Sequence, residues 1–389
     1  MSSVAVVALD LHKKFSRAVV MDPGGEVLDD RRVSHSDRAE VERFFREFER
    51  GTDVVMEATF NWPWVADLAA KCGLTPHLGD PMRIKDYRKG LPKSDRKDAI
   101  GQGNLWLRRM FPEAYLAPGE VRRRRGLFRM RSLFVRMRTA LKNNIHGQLF
   151  KLGLNVDETS DAFGEAGRWA MRRLPLDDDS RLELSRKLAL LDDIALHIAR
   201  IERQIKDEVK ENEDARLLDT LPGFAEITAH GFLAEIGEVK RFPNARALAA
   251  YGGTLPLDNE SADKDLGKRT GSHSNRFLRW IVLEAVNGAV RKSPRMRSLY
   301  NRVKARNRKQ PGKARVAVAR ELMELAHLVL TRRVPYTETP PPRPGSKEAG
   351  VKSQRRRESF PLTGRRLNRR TGKRSAERSP KGYGNDRQA

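Results

Sequence analysis

Residues 4–10 read VAVVALD, an uninterrupted apolar run that ends in the acidic residue Asp10. A short apolar run with a polar end is typical of a buried strand. Residues 17–21 and 27–33 have the composition of two further strands, and the turn residues Asp-Pro-Gly-Gly at 22–25 lie between them. The start of the chain therefore predicts a three-stranded meander whose first strand ends at Asp10.

Helices and strands alternate after the meander. A helix is predicted from about Asp37, where Asp-Arg-Ala-Glu resembles a capping box. A short buried strand at 53–56 runs directly into Glu57, and a helix at 62–72 and a strand at 74–78 follow it. With one more helix at the end, the predicted order is β-β-β-α-β-α-β-α, an α/β domain.

The last helix of this domain opens within KSDRKDA, residues 93–99, and ends near Arg109. Asp95 and Asp98 are three residues apart, which places both carboxylates on one helix face. Two such carboxylates repel each other unless a positive group lies between them, and a divalent ion with oxygen ligands is a common solution. The alternative for an isolated pair is that Asp95 caps the helix and Asp98 favours its dipole.

Four acidic residues lie at the end of a predicted strand or at the start of a predicted helix. Asp10 ends the first strand, Glu57 ends the fourth, and Asp95 and Asp98 open the last helix. Sites in α/β sheets lie beyond strand ends, so we expect the four acids to converge there on divalent cations. Taken singly, Asp10 has the alternative of capping a turn and Glu57 that of pairing with a surface lysine.

Composition narrows the class of partner. The 389 residues carry a formal charge of +26, which favours a polyanion as partner, and nucleic acid is the first candidate.

No apolar run reaches the ~18 residues needed to span a bilayer, and the N-terminus lacks the pattern of a signal peptide, so we expect a cytoplasmic protein. A single cysteine, Cys72, excludes an internal disulfide or a thiolate zinc site. The histidines, His12, His35 and His77 among them, lack paired metal-ligand spacing and are assigned no chemistry.

The middle of the chain is helical and basic. Residues 118–155 interleave arginines with apolar residues and predict a long amphipathic helix whose arginines follow a phosphate backbone. The alternative is a solvated helix face. A shorter helix is predicted at 159–173, and residues 178–211 have near-heptad apolar spacing, which predicts a helical hairpin or coiled coil.

A third region follows. The Pro-Gly pair at 222–223 precedes a helix, which is typical either of a phosphate-binding helix-hairpin-helix turn or of an ordinary helix break. A short helix ends at two glycines, 252–253, and a polar basic loop containing Ser261 leads to a helix from Asn275. A helix over 314–330 closes the core, and the basic tail that follows has almost no aliphatic residues and is expected to be disordered.

Several of these motifs together resemble one family. Asp10 in VVALDLHKK, Glu57 in VVMEATFNW and the acid pair in KSDRKDA resemble the DEDD motif of the insertion-sequence transposases of the 110/1111 group. The passage from Tyr251-Gly252 through Ser261 to the Asn-x-x-Leu-Arg helix start resembles the second domain of the same family. The resemblance covers residues 4–336.

This resemblance implies an organisation. It implies a ribonuclease-H-like, RuvC-like DEDD domain at 1–112, a coiled-coil middle at 113–212 used in assembly, a mainly α transposase domain at 213–336 and a disordered basic tail at 337–389. It also implies that Asp10, Glu57, Asp95 and Asp98 bind Mg²⁺ or Mn²⁺ and that Ser261 is the nucleophile, forming a phosphoserine link with DNA. Ala262 and Ser274 replace glycines that commonly stand at their positions in the family, so Ser272 and Ser274 are alternative nucleophiles.

The partners implied are double-stranded DNA at the element ends and target, a structured guide RNA, and further copies of the chain as a dimer or tetramer, in the prokaryotic nucleoid. Two alternatives stay open. One is a metal-dependent structure-selective nuclease that works with the four acids alone. The other is a nucleic-acid-binding protein without catalysis.

Overall fold

A five-stranded mixed sheet forms the N-terminal part of the computed structural model, in the order β3-β2-β1-β4-β5. Its strands are β1 (Val6–Leu11), β2 (Phe15–Met21), β3 (Val27–Ser34), β4 (Asp53–Glu57) and β5 (Thr75–Gly79). The first three are antiparallel because short turns join them. Strand β4 runs parallel to both β1 and β5, and helices lie between β3 and β4 and between β4 and β5. The predicted meander and the α/β order are therefore confirmed.

The structure describes residues 3–87, 94–156, 161–255, 260–261, 264–265 and 274–338, with the backbone alone for the two pairs 260–261 and 264–265. By their contacts, Met1–Thr337 form one unit and Glu338–Ala389 another. The predicted disorder of the tail beyond 338 falls outside the described residues, and the boundaries predicted at 112 and 212 stay predictions.

Helices cover both faces of the sheet. One face packs against α1 (Arg38–Phe45) and α2 (Trp62–Lys71), and the other against α3 (Pro81–Tyr87) and α4 (Asp95–Leu107). The short helix α3 was not predicted. Asp37 caps α1 as expected, but Glu40 accepts the amide of Ser34 instead of closing a capping box.

Two long helices form an antiparallel hairpin after the sheet, as predicted. They are α5 (Gly119–Lys151) and α7 (Asp178–Glu211), with the short α6 (Glu165–Arg172) between them. Arg123 contacts Glu208 near one end and Gln148 contacts Glu183 near the other, which fixes their opposite directions. The apolar row predicted along α7 started at Leu182, which is 56% exposed, but its other members are buried: Leu184, Leu188, Leu191, Ile194, Ile198 and Ile201. Ile205 and Val209 extend the buried row beyond the prediction.

The C-terminal part is mainly helical. It contains α8 (Glu213–Asp219), α9 (Glu226–Ile236), α10 (Ala245–Tyr251), α11 (Arg276–Lys292), α12 (Pro294–Arg306) and α13 (Gly312–Arg332). A 3₁₀ turn lies at Val239–Arg241, and two-residue strands β6 (Glu260–Ser261) and β7 (Lys264–Asp265) pair with each other. The helices of this C-terminal part share one hydrophobic core, which includes Phe232, Leu278 and Leu322.

The Pro-Gly turn before α9 packs against a helix. Gly223 has a φ of +86°, and a Cβ there would overlap the carbonyl oxygen of Ala285 and the amide nitrogen of Ala289 on α11. Leu221 and Phe224 on either side are buried. Of the two readings of this motif, the structure favours the ordinary helix break, because the glycine serves a close approach of two backbones.

No helix in the part of the chain that the structure describes is both long enough and apolar enough to cross a membrane.

We expect Gly223→Ala to lower the free energy of unfolding by about 3 kcal/mol, since it combines a left-handed backbone with a steric overlap against α11. Urea denaturation followed by circular dichroism measures the change. The matched control is Gly126→Ala on α5, where a Cβ meets nothing within 4 Å and helix propensity alone favours alanine. Equal stability of the two variants would contradict the packing described here.

Candidate active site

The strand register brings Asp10 and Glu57 side by side. Parallel pairing of β1 with β4 runs from Val6 opposite Asp53 to Leu9 opposite Met56, so the next positions are Asp10 and Glu57. Side chains alternate along a strand, and Ala8 and Val55, two residues earlier, contribute to the core beneath α4. Both carboxylates therefore point towards the sheet face that α4 covers.

Helix α4 begins above this strand end. Ser94, not Asp95, caps the helix, because its Oγ accepts the amide of Lys97 at 3.3 Å. Asp95 and Asp98 lie in the first turn, and Asp98 is only 6% exposed. Gly103 lets the helix approach the sheet closely, since a Cβ there would overlap Met21 of β2.

A histidine joins the acids. His12 Nε2 lies 3.1 Å from Asp10 Oδ2 and 3.2 Å from Asp95 Oδ2. One donor atom from each of these three residues lies within 4.8 Å of the other two. Sequence reasoning missed His12 because it looked for paired histidines. The signal was present nonetheless, since His12 follows Asp10 by two residues, and the alternation of β1, extended by one residue past its end at Leu11, places both on one face.

The His12 ring is held in place. It stacks on Phe15 at 4.6 Å between ring centroids, and the guanidinium of Arg32 lies 3.7 Å from the same Phe15 ring. The backbone carbonyl of His12 accepts a hydrogen bond at 2.8 Å from the side-chain amide of Asn61. Asn61 precedes α2 in the loop after Glu57, so the site is tied together from both strands.

Asp30 on β3 fixes the helix that carries the acid pair. It accepts from Arg17 of β2 at 2.6 Å and from Arg96 of α4 at 2.5 Å. The hydrogen bond from Arg17, with Arg96 in support, holds the pKa of Asp30 below its ordinary value of 3.8. Arg17 and Arg96, which lie beside the candidate site, therefore both form ion pairs with the Asp30 carboxylate.

The donor set fits a divalent ion. Two carboxylate oxygens and one imidazole nitrogen from Asp10, Asp95 and His12 converge, and these are ordinary protein ligands for divalent metals. Glu57 lies on the neighbouring strand end and Asp98 one helical turn beyond Asp95. Among the described residues the close cluster comprises the first three, and ligation of an ion by any of the four acids stays a prediction.

The candidate serines lie in the other part of the chain. The backbone of Ser261 belongs to β6, which pairs with β7. Ser272 lies outside the described residues, and Ser274 is half-buried beside Gly253. The approach of Ser261 to the carboxylates is therefore a prediction.

A buried carboxylate holds together the two ends of the segment that contains Ser261. Glu235 of α9 is fully buried and forms two hydrogen bonds of 2.9 Å with Arg129 of α5. It also accepts at 2.8 Å from the side chain of Asn275, which caps α11. The backbone amide of Asn275 donates to the backbone carbonyl of Tyr251 at 2.7 Å. The residues just before and just after the segment are therefore hydrogen-bonded to each other.

Most arginines at the start of α5 contact the protein itself, which differs from the prediction that they follow a phosphate backbone. Their partners are Asp67 for Arg122, Glu120 and Glu208 for Arg123, Glu120 for Arg124, the Ala234 and Glu235 carbonyls for Arg125, and Glu202 for Arg131. Arg136 and Arg138, further along, have no ion-pair partner among the described residues.

We expect Arg129→Leu to lower the free energy of unfolding by about 3 kcal/mol, because it leaves the fully buried Glu235 carboxylate without its charge partner. The matched control is Arg131→Leu on the same helix, whose partner Glu202 is 31% exposed and which should cost below about 1 kcal/mol. Urea midpoints of the two variants provide the comparison. A smaller loss for Arg129→Leu than for Arg131→Leu would refute the assignment.

Comparison with known proteins matches both parts of this structure. The model of the transposase IS116/IS110/IS902 family matches residues 215–301, and a model of DEDD transposases of the IS110 type matches residues 7–152. The second range contains all four predicted acids, and the first contains Ser261.

Individual relatives agree with the family models. The transposase for insertion sequence element IS1111A of Coxiella burnetii is 26% identical over 86% of this chain and 92% of its own length. A Pseudomonas aeruginosa protein named "Probable family 20 transposase" is 27% identical over 73% of this chain and 84% of its own length. The transposase for insertion sequence element IS1328 of Yersinia enterocolitica is 25% identical over 41% of this chain and 47% of its own length. With its N-terminal DEDD domain and its helical C-terminal part, the chain belongs to the IS110-type family of insertion-sequence transposases.

Proposed function

We propose that this transposase cuts, exchanges and rejoins DNA strands at its own insertion sequence with a divalent ion, Mg²⁺ or Mn²⁺, held by Asp10, Glu57, Asp95 and Asp98. The observation that carries the proposal is the convergence of the donor atoms of Asp10, His12 and Asp95 beside the end of β4. When bound, the ion supplies positive charge that stabilises the attacking and leaving oxygens of a phosphodiester displacement.

The protein's part in this chemistry is to hold donors in place before DNA arrives. The cap of Ser94 and the ion pair of Arg96 with Asp30 fix the start of α4. The stacking of His12 on Phe15 fixes the end of β1. Preorganised groups need little rearrangement during the reaction, and phosphoryl-transfer sites depend mainly on positioning and charge.

Ser261 is the proposed nucleophile. Its Oγ forms a bond to phosphorus, and the bond from phosphorus to one sugar oxygen breaks. The displaced sugar oxygen takes up the proton lost by the serine and becomes a hydroxyl. A serine hydroxyl is a weak nucleophile without a base or metal, which requires the acid cluster of the same or another copy of the chain. Lys264, Lys268 and Arg269 in the surrounding segment suit contact with the scissile phosphate.

The proposed partners are double-stranded DNA at the element ends and target, and a structured RNA that guides their pairing. The charge of +26 supports a polyanionic partner of either kind. Within the chain, we propose the domain boundaries predicted from sequence, at 112 and 212, with the nucleoid of a prokaryotic cell as the place of action.

Assembly into a dimer or tetramer is part of the proposal. Met130, Leu133 and Met137 of α5 are 42%, 47% and 43% exposed. Their spacing of three and four residues puts them on one side of the helix, where they form an apolar stripe. An exposed apolar stripe on a long helix is typical of a surface that another helix covers.

The catalytic proposal is tested by strand transfer on a plasmid that carries the element ends, with purified protein, Mg²⁺ and RNA transcribed from the sequence that flanks the coding region. We expect Asp10→Asn and Ser261→Ala each to reduce transfer by about a thousandfold, as the loss of a central catalytic group does. Asp193→Asn, at an exposed position of α7, is the control and should retain activity. Ser272→Ala and Ser274→Ala should also retain it.

Other outcomes of that experiment identify the alternatives. Cleavage and transfer that survive Ser261→Ala but not Asp10→Asn would indicate a nuclease that works with the acids alone. Tight DNA binding by the unaltered protein without any cleavage or covalent protein–DNA product would indicate a binding protein.

We expect Leu133→Glu to shift the protein from an oligomer towards the monomer, because it places a charge in the centre of the apolar stripe. Light scattering coupled to gel filtration measures the mass. Phe150→Glu is the control, since Phe150 is also exposed, at 60%, but lies outside the stripe, about 100° round the same helix from Leu133 and about 160° from Met130. An unchanged mass for Leu133→Glu would exclude the stripe as the contact.

A further inference from the structure

We propose that His12 is itself a ligand of the divalent ion, so that the site has a mixed nitrogen and oxygen donor set and prefers Mn²⁺ and similar transition ions to Mg²⁺. This rests on the metal site of the proposed function. The four acids alone would make an all-oxygen site, which suits Mg²⁺. An imidazole ligand shifts the preference towards transition metals.

The first argument is that a single nitrogen faces two carboxylates. His12 Nε2 lies at nearly equal distances, 3.1 Å and 3.2 Å, from one oxygen of Asp10 and one of Asp95. Nε2 carries at most one hydrogen, so it cannot donate a full hydrogen bond to both. Three donor atoms that lie within 4.8 Å of one another are instead close enough for one ion to contact all three.

A second histidine in the same sheet shows the contrasting arrangement. His77 of β5 also lies between two acids, but it uses one ring nitrogen for each: Nε2 contacts Asp53 at 3.0 Å and Nδ1 contacts Glu113 at 2.8 Å. Trp106 packs against its ring and donates to Asp53. His77 thus pairs two carboxylates as a structural link, whereas His12 directs one atom at both.

The third argument is the support of the His12 ring. Stacking on Phe15 restricts the ring's rotation, and the hydrogen bond from Asn61 fixes the backbone that carries it. Asn61 is itself buried, and its Oδ1 accepts from the hydroxyl of Thr59. Support of this kind around a ligand is what keeps metal sites in their binding geometry.

The test uses the full-length protein and Mn²⁺ alone, without DNA. Electron spin-echo envelope modulation of bound Mn²⁺ should show coupling to a ¹⁴N nucleus, which becomes a ¹⁵N coupling when histidine is isotope-labelled. In His12→Gln the nitrogen coupling should disappear. The affinity for Mn²⁺, obtained from the electron spin resonance signal of unbound Mn²⁺, should fall by about 10- to 100-fold, the usual effect of weakening the ligand shell of a metal site.

Competition by Mg²⁺ separates preference from affinity. The concentration of Mg²⁺ that displaces half of the Mn²⁺ should fall by about tenfold in His12→Gln, since the nitrogen ligand contributes mainly to Mn²⁺. The matched control is His77→Gln, which removes the other histidine that bridges two acids of this sheet and should leave coupling, affinity and preference unchanged. Melting curves of both variants identify any loss of folding.

The outcomes distinguish this inference from the function on which it rests. Mn²⁺ bound by the unaltered protein without nitrogen coupling would overturn the role of His12 and leave a site of oxygen ligands. A coupling that persists in His12→Gln would do the same. Failure of the unaltered protein to bind Mn²⁺ at all would overturn the metal site itself.

Discussion

The parallel pairing of β1 with β4 is the constraint on which the candidate site depends. It aligns Leu9 with Met56, so Asp10 and Glu57 occupy neighbouring positions on the two strands and their side chains lie on the same face of the sheet. A slip of one residue in either strand would send one carboxylate to the opposite face of the sheet. The register is stabilised by burial on both sides, because Val6, Val7, Ala8 and Leu9 are all at most 1% exposed.

The second part of the molecule is organised by a charge rather than by a strand. Glu235 is surrounded by the apolar core of the C-terminal helices, and its carboxylate is balanced by Arg129 from the long basic helix. Removal of one partner from a buried ion pair is strongly destabilising, so the pair favours the arrangement of its neighbours in which both partners meet. Here the arrangement it selects includes the start of α11 and the end of α10, between which Ser261 lies.

Local patterns were sufficient to predict much of this. The apolar runs that end in Asp10 and Glu57 predicted both strands and their acids, and the spacing of Asp95 and Asp98 predicted their common helix face. The row of leucines and isoleucines along α7 predicted six of the residues that are buried there, from Leu184 to Ile201, but wrongly included Leu182. Each of these features is encoded within a few neighbouring residues, so it can be read without knowledge of the remainder of the chain.

Contacts between distant residues were not predictable in this way. The arginines of α5 look like a nucleic-acid surface in sequence, yet Arg131 finds Glu202 and Arg129 finds Glu235, 71 and 106 residues away. Glu235 follows a run of apolar residues in α9, and no residue near it in sequence indicates that its partner is Arg129. The role of His12 depends likewise on Asp95, which the fold alone brings to it.

The absence of a side chain at Gly103 has a mechanical consequence. At this glycine α4 packs so close to β2 that a Cβ would overlap the Met21 side chain, and Asp95 lies eight residues earlier, about 12 Å away along a helix. A side chain at Gly103 would have to displace either the Met21 side chain or α4 itself. Because a helix is stiff, a displacement of α4 would also move Asp95 relative to Asp10 and His12 on the first strand.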